Sequence, residues 1–201
     1  MIRKHTMSIT AITLLLASPL AAQEATTPQM TPEMQAMMEA FQKAGTPGAE
    51  HQKLASLAGT YDLTIKGWHT PGGEPTTDTG TATRKMVLGN RVMVEDVTSQ
   101  MMGQPFNGHG MHGYDNTTGK YWATWNDNMS TGLMVSEGTC DAKLTCTYTG
   151  SHHDPVTKKP QTTRMTTRWT DANTELFEMY GPGPDGKETK MMEITYKKRG
   201  Q

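Results

Sequence analysis

The sequence predicts an all-β protein: an antiparallel meander of about ten strands closed into a lipocalin-like barrel, with one or two short helices ahead of it. Three observations point there. From Gly59 to Arg199 apolar and polar residues alternate with period two in segments of eight to eleven residues. The segments are separated by short turn clusters such as Gly89-Asn90, Asp171-Ala172-Asn173 and Pro182-Gly183-Pro184-Asp185-Gly186, so neighbours pair antiparallel and no crossover helix fits between them. The aliphatic inventory is thin: past residue 22 there are seven Leu, six Val, two Ile and three Phe among 179 residues, against 15 Met. Closure hides the two edges of such a meander. A ring of about ten strands is wider than the eight-stranded ring that fills its own interior, and few aliphatics are present to pack it, so a partly hollow lumen is expected.

Along the chain, residues 1–22 read as a cleaved export signal. Arg3, Lys4 and His5 form a basic start, Ile9 to Leu20 an apolar run of 12 residues, and Ala21-Ala22 a small-residue exit before Gln23. The run is too short for a bilayer span of about 20 residues. No cysteine stands at the exit, which speaks against a lipid anchor. Removal after Ala22 turns a formal charge of −1 into 17 basic against 20 acidic residues. That balance excludes a polybasic nucleic-acid binder, and the mature chain is expected to be periplasmic or secreted, without stable membrane insertion.

Residues 23–30, all Thr, Pro, Gln, Ala, Glu and Met, read as a flexible linker. Residues 31–58 read as short helices. Thr31-Pro32-Glu33 supplies an N-cap, a first-turn proline and an early acid, after which Met34, Met37, Met38 and Phe41 recur at helical spacing up to Gly45. A second helix is expected from Pro47 to about Leu57. The barrel domain takes residues 59–199, with strands expected at Tyr61–Trp68, Thr79–Leu88, Arg91–Met101, Phe106–Tyr114, Tyr121–Asn128, Gly132–Thr139, Leu144–Gly150, Gln161–Thr170, Glu175–Gly181 and Lys187–Lys198. In the first of these, alternation sets Tyr61, Leu63 and Ile65 on the inward face. Cys140 and Cys146 flank the turn-like Asp141-Ala142-Lys143 and are expected to bridge a hairpin; a loop this short gains about 2 kcal/mol from a disulfide. Free thiols serving a metal or a redox couple are the competing reading, weakened by a spacing that is not Cys-x-x-Cys.

Several runs resemble the bacterial family known as domain of unknown function 1579. They are Met86-Val87-Leu88-Gly89-Asn90-Arg91, Met101-Met102-Gly103-Gln104-Pro105-Phe106, Gly113-Tyr114-Asp115, Met129-Ser130-Thr131-Gly132, Phe177-Glu178-Met179-Tyr180, Gly183-Pro184-Asp185-Gly186-Lys187 and Met192-Glu193-Ile194-Thr195-Tyr196. The resemblance spans roughly Glu50 to Lys198. It implies a calycin-like antiparallel barrel and no particular activity. Gly59-Thr60-Tyr61 is similar to the Gly-x-Trp opening of lipocalin-type barrels, with Tyr61 in place of the Trp. The last histidine, His153, stands well before the final strands, so the resemblance lends nothing to a haem site.

Function is carried, on this reading, by what faces the lumen. Tyr114, Trp125, Asp127, Glu137 and Glu178 are the candidate wall of a site for a small, partly apolar molecule. Tyr121, Ala123, Trp125 and Asp127 share a face, Glu178 shares one with Leu176 and Tyr180, and Glu137 shares one with Leu133 and Val135. Glu95, Asp96 and Glu193 are further mid-strand charges of a kind that a wet lumen tolerates and a packed core excludes. His109 and Met111 point the same way on one strand and form a weak candidate pair for copper, which would need further ligands such as Met101, Met102 or Met129. No cofactor is implied. There is no Gly-x-Ser-x-Gly elbow, phosphate loop, dinucleotide fingerprint or zinc-ligand spacing, and no catalytic set is assigned. The readings are thus a lumen binder of a small molecule, a Met/His copper protein, a lumen-centred enzyme working through paired carboxylates, and a non-catalytic envelope interaction module.

Overall fold

The computed structural model describes residues 30–70, 72–101 and 103–200. The expected export signal, most of the linker and Met102 lie outside the described residues. Helix α1 (Pro32–Gly45) begins where the Thr31 hydroxyl accepts from the Met34 amide, as the cap signal requires. It buries none of its residues. Its hold on the barrel is at its C-terminal end, where the Asn116 amide donates to the carbonyls of Lys43, Ala44 and Thr46 and Arg91 Nε donates to Gly45 at 3.0 Å. Those carbonyls are ones a helix end leaves unpaired. Helix α2 (Ala49–Ser56) does pack, burying His51 and Leu54.

Ten strands follow: β1 (Gly59–Gly67), β2 (Thr76–Val87), β3 (Val92–Met101), β4 (Gln104–Asp115), β5 (Lys120–Asp127), β6 (Met134–Cys140), β7 (Cys146–His153), β8 (Pro160–Trp169), β9 (Thr174–Pro182) and β10 (Glu188–Lys198). Each pairs antiparallel with its sequence neighbours, and β1 pairs with β10 to close the barrel. The expected strands all form, with ends displaced by a few residues at most. Closure leaves no sheet edge.

Burial fixes the two faces. Tyr61 and Leu63 in β1, Ala82 and Arg84 in β2, Met93, Glu95, Val97 and Ser99 in β3, and Glu175 in β9 are buried at alternate positions and point inward, while their neighbours face solvent. One apolar cluster joins Tyr61, Leu63, Ala82, Val97, Phe106 and Tyr196 through the middle of the barrel. A second, of Leu54, Leu57, Met93 and Tyr121, lies where α2 covers one end. Cys140 and Cys146 face each other across the β6–β7 ladder and are disulfide-bonded.

Candidate functional site

The middle of the barrel is not hollow, which corrects the expectation drawn from the scarcity of aliphatics. The space is taken by an ionic and aromatic stack. Arg84 donates from Nε to Glu95 at 2.9 Å and from Nη1 to Glu175 at 2.5 Å. Its guanidinium lies 4.8 Å from the centre of the Tyr61 ring and 4.4 Å from that of Tyr196. The three charged side chains expose only 6%, 3% and 6% of their surface. Buried charges persist when paired and hydrogen-bonded, and the rings satisfy the flat faces of the guanidinium. Burial opposes ionisation of Glu95, but the Arg84 charge and the hydrogen bonds from His112 and Arg84 outweigh it and hold the carboxyl at about 2. His112 Nε2 lies 3.3 Å from Glu95 Oε2, so β2, β3, β4 and β9 all contribute to one network. Burial pushes the Tyr196 and Tyr148 phenols up, keeping both protonated around the cluster.

On either side of this floor the lumen differs. At the end covered by α2, Leu54, Met93 and Tyr121 are 3%, 2% and 3% exposed, and the Tyr121 hydroxyl donates to Glu50 of the helix. At the other end Ile65, Met101, Trp125, Met134, Phe177, Met179, Met192 and Ile194 occupy inward positions yet are only partly buried. Among the described residues no helix packs there; α2 packs against β2, β3 and β4 and reaches Tyr121 of β5. Trp125 lies flat along the wall because Gly110 stands opposite it and Gly108 diagonal to it: a Cβ on Gly108 would fall 2.2 Å from the indole. Its Nε1 donates to Asp127 Oδ2 at 3.0 Å, and its ring stacks on Phe106 at 6.5 Å between centroids. The arrangement offers an apolar, aromatic and thioether wall above a charged floor.

The family model described as Protein of unknown function (DUF1579) matches residues 46–198. The chain belongs to that family. Among curated proteins, none matches the chain. The DUF1579 region takes in α2 and all ten strands and leaves α1 outside it.

Within the DUF1579 barrel the residues singled out from the sequence part company. Trp125 and Asp127 lie together at the open end. Tyr114 is turned toward the closed end, edge-on to His51 at 5.9 Å and to Tyr121 at 5.0 Å. Glu137 is on the outer surface, where Lys120 Nζ reaches it at 3.0 Å and its side chain is 59% exposed. Glu178 is also outside, hydrogen-bonded to Lys190. It does share a face with Leu176 and Tyr180, but that face is the outer one, where Arg164 and Lys190 lie over the Tyr180 ring. The lumen-wall placement of Glu137 and Glu178 is therefore corrected: apolar neighbours marked a face without saying which one.

His109 and Met111 also point outward, and His109 Nδ1 sits 2.7 Å from Asp96. Among the described residues no group of three His, Cys, Asp or Glu side chains converges as a metal site. Sequence reasoning passed over Arg84 and Glu175. The signal was present in Ala82, Arg84 and Met86, an arginine in phase with two apolar neighbours. Two grooves lie outside the lumen. One of about 460 Å³ runs between α2 and the β6–β7 and β8–β9 turns, beside Leu57, Leu144 and Trp169; one of about 570 Å³ separates α1 from the β4–β5 turn.

Proposed function

We propose that this DUF1579 protein is exported and binds a small, partly apolar organic molecule in the open half of its barrel, between Trp125, Phe106, Phe177 and the methionines of β6, β9 and β10. One observation carries the reading: under α2 the inward Met93 and Tyr121 are buried, whereas at the other end Trp125, Met134, Phe177, Met179 and Met192 point inward and stay partly exposed. Apolar surface left partly accessible on an inner wall is what a ligand can cover, and each Å² removed from water contributes about 25 cal/mol. The Arg84–Glu95–Glu175 floor stops the ligand from passing deeper and gives the site a polar end. N-phenyl-1-naphthylamine, a neutral fluorescent probe, is expected to bind one per chain. Trp125→Ala should weaken it at least about tenfold, since a ring that buries this much area contributes more than ~1.4 kcal/mol. Glu137→Gln, on the outer face, should leave it unchanged. Unaltered affinity in Trp125→Ala would remove the site from this wall.

A second reading as an envelope interaction module has its own observation. Met34, Met37, Met38 and Phe41 of α1 are 50%, 54%, 56% and 73% exposed on a helix that covers nothing. On that reading the barrel is scaffold, and deletion of residues 30–45 leaves probe binding intact while removing association with other envelope components.

A further inference from the structure

The methionines inside the barrel are grouped. Met165 in β8 stands opposite Met179 in β9, which stands opposite Met192 in β10, so three inward thioethers share one level on adjacent strands. On the other side of Met165, β7 sets Tyr148 opposite it and Gly150 at the next inward position. A Cβ there would lie 2.8 Å from Met165 Cε and 3.3 Å from Met134 Sδ. The glycine thus lets side chains from β6 and β8, which are not neighbours in the sheet, both lean over the strand between them. The next inward residue on β7 is His152. Its Nδ1 lies 3.4 Å from the Thr163 hydroxyl, and among the described residues its Nε2 has no bond. Val135 pairs with Ser151, so Met134 and His152 are adjacent across the β6–β7 ladder.

We propose that Met134, Met165 and Met179, with the His152 imidazole, form a site for the soft monovalent cation Cu(I) on the inner wall of the open half. Thioether and imidazole donors suit Cu(I), and carboxylate-loving ions such as Mg²⁺ and Ca²⁺ gain nothing from them. Both cysteines are held in the disulfide, so methionine is the soft sulfur donor the described chain has to offer. The site uses different atoms from the outer His109–Met111 pair, and it does not depend on the organic ligand of the preceding reading. Ion and side chains combine without any change of oxidation state.

Ag(I), a redox-inert stand-in for Cu(I), provides the test. Calorimetry on the mature chain carrying Met30→Leu, Met34→Leu, Met37→Leu and Met38→Leu, which removes the exposed N-terminal thioethers, should show one ion per chain. Met165→Leu with Met179→Leu conserves volume and should keep the fold, yet lower affinity at least about 100-fold, the scale on which lost metal contacts are felt. His109→Ala with Met111→Leu should leave binding unchanged. If the double Leu variant does not fold, Met134→Leu alone should still weaken Ag(I) about tenfold or more. Wild-type affinity in Met165→Leu/Met179→Leu, or in Met134→Leu, would overturn the site and leave the methionines as packing.

Discussion

The two ends of the barrel are built from the same alternation and finish differently. At one end α2 lays Leu54 and Leu57 on Met93 and Tyr121, which are withdrawn from solvent, while Met86, Tyr114 and Tyr148 around them are partly buried. At the other, Trp125, Phe177, Ile194, Met101, Met134, Met179 and Met192 face the same lumen without a lid, and all stay partly exposed. Strand periodicity assigns a residue to the inside; whether the inside is core or site depends on what comes to rest over that end. Between the two halves lies the Arg84 stack, a partition made of charge and aromatic rings where a larger barrel would need aliphatics this chain lacks.

Breaking the partition should give the largest effect. Arg84→Met leaves Glu95 and Glu175 buried without their cation and should cost about 3–5 kcal/mol, read as a fall in Tm. Adding Glu95→Gln and Glu175→Gln should recover most of it. The same cluster sets an acid limb. The Glu95 carboxyl is depressed to about 2 in the folded state, from an ordinary 4.5. Its contribution is therefore complete above the unfolded value and is lost as pH falls from about 4.5 toward 2, a decline that should disappear in Glu95→Gln.

A smaller effect should separate the two ends. Leu54→Ala, under the lid, should cost about 2–4 kcal/mol because a buried leucine leaves a cavity. Phe177→Ala, on the open wall, should cost only about 1–2 kcal/mol because part of that ring is already in water. Equal losses in chemical denaturation would mean that the ends are not different after all.

Much of the fold was legible in the sequence because its signals are local. Turn clusters and period-two alternation marked all ten strands, and Thr31-Pro32-Glu33 marked the start of α1. Faces were legible only where the outside is polar, as in β1, where Asp62, Thr64 and Lys66 alternate with Tyr61, Leu63 and Ile65. In β6 and β9 the outside is apolar too: Val135, and Leu133 just ahead of β6, are 47% and 52% exposed, and Tyr180 packs under cationic stems. Glu137 and Glu178 were placed inside for that reason. Tyr114 does face the lumen, but no periodicity says at which end a helix will settle. The ionic floor was hidden because Arg84 meets its partners 11 and 91 positions away, a pairing that only closure of the sheet creates. The methionine stripe of α1 has the spacing of a packing face and covers nothing.

Methionine methyl groups are placed where they can report on both ends at once. With ¹³C-methyl methionine, titration of N-phenyl-1-naphthylamine should shift Met101, Met134, Met179 and Met192 of the open half and leave Met93, under α2, in place. Shifts confined to Met34, Met37 and Met38 of α1, or a response at Met93 equal to that at Met179, would contradict a binding site in the uncovered half of the barrel.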